Sequence, residues 1–283
     1  ERMDAQLPAG LAGTGRVGRG TIDVAAGAAR VVLREDVLRF CAAVETLRTT
    51  LIELASAHIV SLLPVSIAGQ VAQPTSFGHM IAAVVSQLTR AAARIENAYA
   101  EVNRSPLGSG ALASTGMPID RERLTDLLGF DGLIENTFDA VSATDHFGAI
   151  ADALDAAIAP VDRLLGAITD WVRAEPDSFR FGADWTSLLS DLPQARPALG
   201  VGALIESLRA VLVASASLRS AAGRIAFGPL TVELDRLLKL ADGALDHGSA
   251  AIDRTNALLG EGLEVNRALL AKRAGKGFST SSD

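Results

Sequence analysis

One cysteine, Cys41, stands among 283 residues. A single thiol excludes an intrachain disulfide and a thiolate metal site, and it fits a reducing, cytoplasmic setting. Lysine is nearly absent: Lys239, Lys272 and Lys276 are the only ones among 26 Lys and Arg residues, so no lysine chemistry is available before position 239. His58, His79, His146 and His247 are scattered, with no HExxH or similar pair. A metal is therefore not expected, and no cofactor motif is present. The net charge of −7 gives no electrostatic reason for nucleic acid or an anionic membrane as a partner. No apolar run of the roughly 18–20 residues of a membrane span is evident, and no signal peptide. No alternating β pattern stands out.

What is present is helical periodicity. Leu33, Val37, Phe40, Val44, Leu47, Leu51 and Leu54 step by four and three, as do Ile81, Val85, Leu88, Ala92, Ile95, Tyr99 and Val102. That rhythm puts one apolar seam along each helix. Three more long helices are expected over 141–174, 197–225 and 229–258, with Pro160 kinking the first of them. The expected fold class is all-α, a bundle of five long helices of about 40–50 Å each. Apolar stripes on more than one side predict self-association.

Loops interrupt the rods at Leu62–Pro74, Ser105–Asp120 and Glu175–Pro197, where function is expected to sit. Asp120 reads as the N-cap of RERLTDLLG, with Gly129 as its stop. The glycines of Gly108–Gly110 read as backbone geometry and not as a phosphate loop.

The stretches QPTSFGHM, NAYAEVNRSPLGSGALASTGMPIDRERLTDLLGF and ENTFDAVSATD resemble the argininosuccinate lyase branch of the fumarase/aspartase superfamily. The resemblance implies a homotetramer with a core of twenty helices, five per chain, and active sites assembled from three chains. It also implies elimination of fumarate from a succinyl-substituted amine, with a serine base, an anion hole and carboxylate clamps. Residues 1–18 then read as the remnant of an N-terminal domain. Residues 19–258 read as the central bundle and 259–283 as the start of a small C-terminal helical domain.

Position by position, the family's GRSRNDQ falls on Gly18 to Val24, placing its substrate-binding Arg and Asn on Thr21 and Ile22. MPGYTHLQPAQP falls on LPVSIAGQVAQP, placing its Thr and His on Ile67 and Ala68, while Gln70, Gln73 and Pro74 persist. GSSxMPxKxNP falls on Leu188 to Pro197, with Ser190 as the base serine, Ala195 in place of the lysine and Arg196 beside it. Candidate catalytic residues are Ser190 and His146. Candidate substrate-binding residues are Arg19, Gln70, Asn103, Ser105 and Arg196. The three loops are expected to enclose a cleft less polar than a dicarboxylate site.

The resemblance with these substitutions implies a repurposed lyase acting on a less polar small molecule and inactive on argininosuccinate. Its alternatives are a non-catalytic binding or scaffold protein, and a partner subunit of an active lyase paralogue.

Overall fold

A computed structural model describes residues 20–67, 70–174, 177–182, 198–261 and 263–277. Five long helices dominate: α1 (Thr21–Ala57), α2 (Phe77–Val102), α5 (Asp145–Ala174), α6 (Ala198–Ala222) and α7 (Glu233–Glu261). Short elements join them. These are β1 (Leu62–Ile67), β2 (Gln70–Ser76), β3 (Arg104–Ser105), α3 (Arg121–Leu127), β4 (Gly132–Leu133), α4 (Thr137–Ser142), β5 (Phe179–Phe181), β6 (Leu263–Val265) and α8 (Arg267–Gly277). The fold is all-α in character, as expected.

The long helices pack in a ring, α1 on α2, α2 on α5, α5 on α6, α6 on α7 and α7 back on α1. The seam residues Leu33, Phe40, Val44, Leu47 and Leu51 of α1, with Ile81, Leu88, Ile95 and Val102 of α2, are fully buried in one continuous core. Phe147, Ile150, Leu154 and Ile158 of α5 close it from the other side. Burying such side chains contributes about 1.5–3 kcal/mol each, which is why the heptad pattern decides the architecture.

Several expectations are corrected. The segment Leu62–Pro74, read as a loop, is mostly an antiparallel hairpin, in which Pro64 faces Pro74. The first of the three later helices is split: α4 ends at Ser142, and α5 begins at Asp145 and runs on through Pro160. The last long helix is displaced to 233–261, and α6 stops at 222. An apolar stretch of membrane-spanning length does exist: Gly200–Ala222 qualifies by length and composition. It packs between α5 and α7, burying Val201, Leu204, Leu208, Val211 and Leu218.

Capping follows local chemistry. Ser76 starts α2 by accepting from the His79 N–H at 3.1 Å. Asp120 starts α3 by accepting from the Arg123 N–H at 2.8 Å, and Gly129 beyond its end has φ +66°. Asn136 starts α4 by accepting from the Phe138 and Asp139 N–H groups.

Candidate active site

The start of α1, the end of α2, the glycine loop and the start of α5 meet at one end of the bundle. The loop is held by its own neighbours. Gly108 and Gly110 have φ of +74° and +69°, a region that costs side-chain-bearing residues about 1–2 kcal/mol. The Gly110 N–H donates to Asp23 Oδ2 at 3.1 Å, tying the loop to α1. Arg121 donates to the Leu107 carbonyl at 3.0 Å, to Ser109 Oγ at 3.1 Å, to the Ile134 carbonyl at 2.7 Å and to the Glu135 carbonyl at 3.2 Å. Gly27 in α1 leaves room for Leu107, because a Cβ there would lie 2.8 Å from its side chain. Its glycines therefore serve a braced turn and not a bare cradle of N–H groups.

Asn103 and Ser105 flank this loop and are buried. Asn103 Oδ1 accepts from Arg34 at 3.0 Å, and its carbonyl accepts from the Asp131 N–H at 3.1 Å. Ser105 Oγ accepts from the Leu107 N–H at 3.3 Å. Within one chain both side chains are thus engaged in shaping the α2–loop junction.

His146, in the first turn of α5, is 4% exposed. Its Nδ1 lies 3.3 Å from Arg30 Nη2. A guanidinium only donates, so Nδ1 accepts, and the ring proton is assigned to Nε2 from this network. Burial first, and the Arg30 charge second, push the imidazole down to about 4. Asp145 Oδ1, 3.7 Å from the ring, is too far for a strong hydrogen bond and accepts from the His146 N–H instead. The ring is therefore neutral at physiological pH, with Nε2–H as its available donor.

Arg30 also donates to the Glu101 and Val102 carbonyls at 2.7 and 3.3 Å. Its positive charge sits on the C-terminus of α2, where the helix dipole favours it. Burial lowers its pKa to about 10, so it stays charged at neutral pH.

Gln70 lies at the opposite end. Its backbone pairs with Ile67 at the hairpin turn, and β2 leads straight into α2. The 26 residues of α2 put about 39 Å between the hairpin end and the loop end. The flanks of residues 183–197 belong to the hairpin end too. β5 packs there, with the Phe179 ring 5.2 Å from Phe77, and α6 begins there because it runs antiparallel to α5. Within one chain, α2 therefore holds the first two of the three loops expected to enclose a cleft apart. His146, Asn103 and Ser105 gather at one end, and Gln70 at the other. Arg19, Ser190 and Arg196 lie outside the described residues.

Reading the sequence missed Asp23, Arg30 and Arg121, which build the loop end. Asp23 was visible as the acidic residue retained in the GRGTIDV stretch. Arg30 lies one heptad further on and shares the buried face of Ala26, Ala29 and Leu33.

A sequence profile of the lyase family matches residues 14–164. The argininosuccinate lyase of Methanosarcina barkeri is 36% identical over 179 residues, 63% of this chain and 36% of that protein. The argininosuccinate lyase of Methanoculleus marisnigri is 33% identical over 272 residues, 94% of this chain and 54% of that protein. The chain thus spans about a third to about half of the length of these relatives. A crystal structure of EDDS lyase in complex with formate superposes with a TM-score of 0.82 at 26% identity, over 93% of this chain and 52% of that one. Class II fumarase from Schistosoma mansoni shares the fold, with a TM-score of 0.72 at 18% identity over 91% of this chain and 59% of that one.

Proposed function

The chain belongs to the lyase family, on the argininosuccinate lyase branch of the fumarase/aspartase superfamily, and from that premise we propose a repurposed lyase that performs β-elimination on a less polar substrate than argininosuccinate. The carrying observation is the character of the clamp positions. Thr21 and Ile22 occupy the first turn of α1, at the loop end, where the family motif has Arg and Asn. Ile67, Ala68 and Ala195 replace a Thr, a His and a Lys elsewhere in the motifs. Ile22 donates no hydrogen bond from its side chain. Removing one oxyanion-type donor costs about 10²–10³ in rate, and several are replaced at once.

The ligand is a neutral or singly charged small molecule, because an unpaired carboxylate buried among these side chains costs several kcal/mol. Ser190 acts as base and Arg196 supplies charge beside it. Arg19 and Gln70 orient the substrate, Asn103 and Ser105 act on it indirectly by holding the loop end in shape, and His146 donates through Nε2–H. A complete site then needs at least two copies, one bringing its loop end and the other its hairpin end. The length of α2 supports this, and the same reading makes the protein a homotetramer of the family kind, acting in the cytoplasm. The test is turnover by the full-length protein of a panel of β-elimination substrates bearing one carboxylate or none, with fumarate release from argininosuccinate as the comparison. Turnover of a less polar compound with none of argininosuccinate is the expected result. Argininosuccinate cleavage within about a thousandfold of an ordinary enzyme sinks it.

A second reading, a non-catalytic scaffold or a partner subunit of an active lyase paralogue, draws on the same clamp losses. No turnover by the chain alone, followed by activity on mixing with such a paralogue, favours it.

A further inference from the structure

The rings of Phe138 and Phe227 stack, with centroids 4.7 Å apart and planes 27° from parallel. Phe138 lies in the first turn of α4, and Phe227 in the connection between α6 and α7. Phe227 is 88% exposed, more than any other large apolar side chain among the described residues. The exposure is built in. On one side of it Ile225 packs against the core. On the other, Leu230 is buried and its N–H donates to the Val141 carbonyl of α4 at 2.8 Å. The ring is thus pinned between two anchors, with one face on Phe138 and the other in solvent. A Cβ on Gly228 would meet nothing within 4 Å, so the space beside the ring is open.

This aromatic shelf belongs to the loop end. Thr137, next to Phe138, donates to the Leu112 carbonyl at 3.0 Å, tying α4 to the chain that follows Gly110. Arg121, which braces the glycine loop, also holds the Ile134 and Glu135 carbonyls just before α4. Asp139, next to Phe138 on the other side, is close enough to act on Arg30, the partner of His146. Burial lowers the Arg30 pKa, and the Asp145 and Asp139 carboxylates oppose it.

The chemistry of the shelf selects its occupant. A ring face offers a flat area for dispersion and the negative side of its quadrupole, which attracts a cation and repels an anion. The exposed Asp139 adds a carboxylate beside it. Arg224, the nearest cation along the chain, is turned back to donate to the Ser220 carbonyl at 3.0 Å. The area fits a small molecule. One Phe presents about 150–250 Å², against roughly 800 Å² per partner for a stable protein interface.

We propose that the Phe138–Phe227 shelf seats the aromatic ring of an arylalkylamine, the leaving-group side of the substrate, and that Phe227 is a specificity-determining residue. The inference rests on the lyase reading above and gives its less polar substrate a chemical class.

The test is calorimetry of the full-length protein with benzylamine, propylamine and phenylacetate as probes, and circular dichroism to verify folding. Benzylamine should bind with a Kd of about 1 mM or tighter, at least about tenfold tighter than propylamine. Phenylacetate, the same ring with the opposite charge, should bind at least about tenfold more weakly than benzylamine. Phe227→Ala should erase the preference for benzylamine and leave propylamine unchanged, while Phe227→Tyr keeps the ring and the preference. Phe138→Leu removes the ring beneath and should weaken benzylamine without reaching the Phe227→Ala level. Equal affinities for benzylamine and propylamine, phenylacetate bound as tightly as benzylamine, or benzylamine affinity unchanged in Phe227→Ala would each overturn the proposal. So would sedimentation showing a smaller assembly for Phe227→Ala, which would assign the ring to a contact between copies. Binding does not depend on turnover. Benzylamine held through Phe227 with no substrate turned over sinks the lyase reading alone, and turnover without any preference for arylalkylamine leaving groups sinks the shelf alone.

Discussion

Nη2 of Arg30 lies 3.3 Å from Nδ1 of His146, buried between α1 and α5. The pair joins three helices, because the same guanidinium also holds the last carbonyls of α2. A cation beside an imidazole opposes its protonation, and burial opposes it further.

The pH consequence follows from the direction. The folded-state pKa of His146 is about 4, below its ordinary 6.5, so the unfolded chain binds the proton more readily. The stability that the neutral ring contributes is complete above about pH 6.5 and is lost as pH falls towards 4, by up to ~3 kcal/mol. His146→Gln keeps an acceptor for Arg30 and cannot titrate. Denaturant midpoints at pH 7 and 4.5 should therefore differ less for the variant than for wild type. An unchanged difference would show that the ring is not held neutral.

Arg30→Met keeps the buried stem and removes the fork. Two helix-end carbonyls and the His146 acceptor lose their donor. The expected loss is ~2–4 kcal/mol at pH 7, since each buried polar group left unsatisfied costs about 1–3 kcal/mol. Urea unfolding measures it. The imidazole should also titrate nearer its ordinary pKa in this variant, visible by NMR.

The glycine loop makes a graded prediction. Gly108→Ala places a Cβ 2.7 Å from Arg121 Cγ, and Gly110→Ala places one 2.8 Å from the Ser114 carbonyl oxygen, both at positive φ. Each should cost ~1–3 kcal/mol, with Gly110 the worse because backbone yields less than a flexible arginine stem. Gly116→Ala meets nothing within 4 Å and should be near neutral. Thermal melts of the three variants rank them.

Much of the fold was legible because heptad seams such as Leu33–Leu54 state both the helix and its buried face. The capped helix after Asp120 was legible because Asp and Gly act locally. The hairpin was hidden by Pro64 and Pro74, which read as loop punctuation yet sit opposite one another in the ladder. The break between α4 and α5 was hidden because Val141 and Phe147 are both buried and continue the apolar pattern. Arg30 was hidden because a charge within a helix normally faces solvent, and only the convergence of α2 and α5 supplies its partners. The distance between the hairpin and the glycine loop was hidden for a different reason. Motifs align along a chain, but α2 is 26 residues long, so the motif before it and the loop after it stand at opposite ends of a rod.

Asp36 sets the last expectation, opposite in sign to His146. Its carboxyl lies between α1 and α7, with Arg39 at 3.1 Å from Oδ1 and no hydrogen-bond partner for the buried Oδ2. Burial first, and the Asp242 carboxylate second, push it up to about 6. The folded chain then holds this proton more tightly than the unfolded one, so stability falls as pH rises from about 4 through 6 and stays reduced above. Asp36→Asn removes the buried charge and leaves an amide oxygen for Arg39. The variant should gain ~1–3 kcal/mol over wild type at pH 8, and the gain should shrink towards zero near pH 4. Wild type carries both titrations, and they partly cancel between pH 4 and 6. The clean measurement is therefore Asp36→Asn against Asp36 in a His146→Gln background, by urea unfolding at pH 4, 6 and 8. A gain that is constant across that range would mean Asp36 is ionised throughout and that its cost does not come from titration.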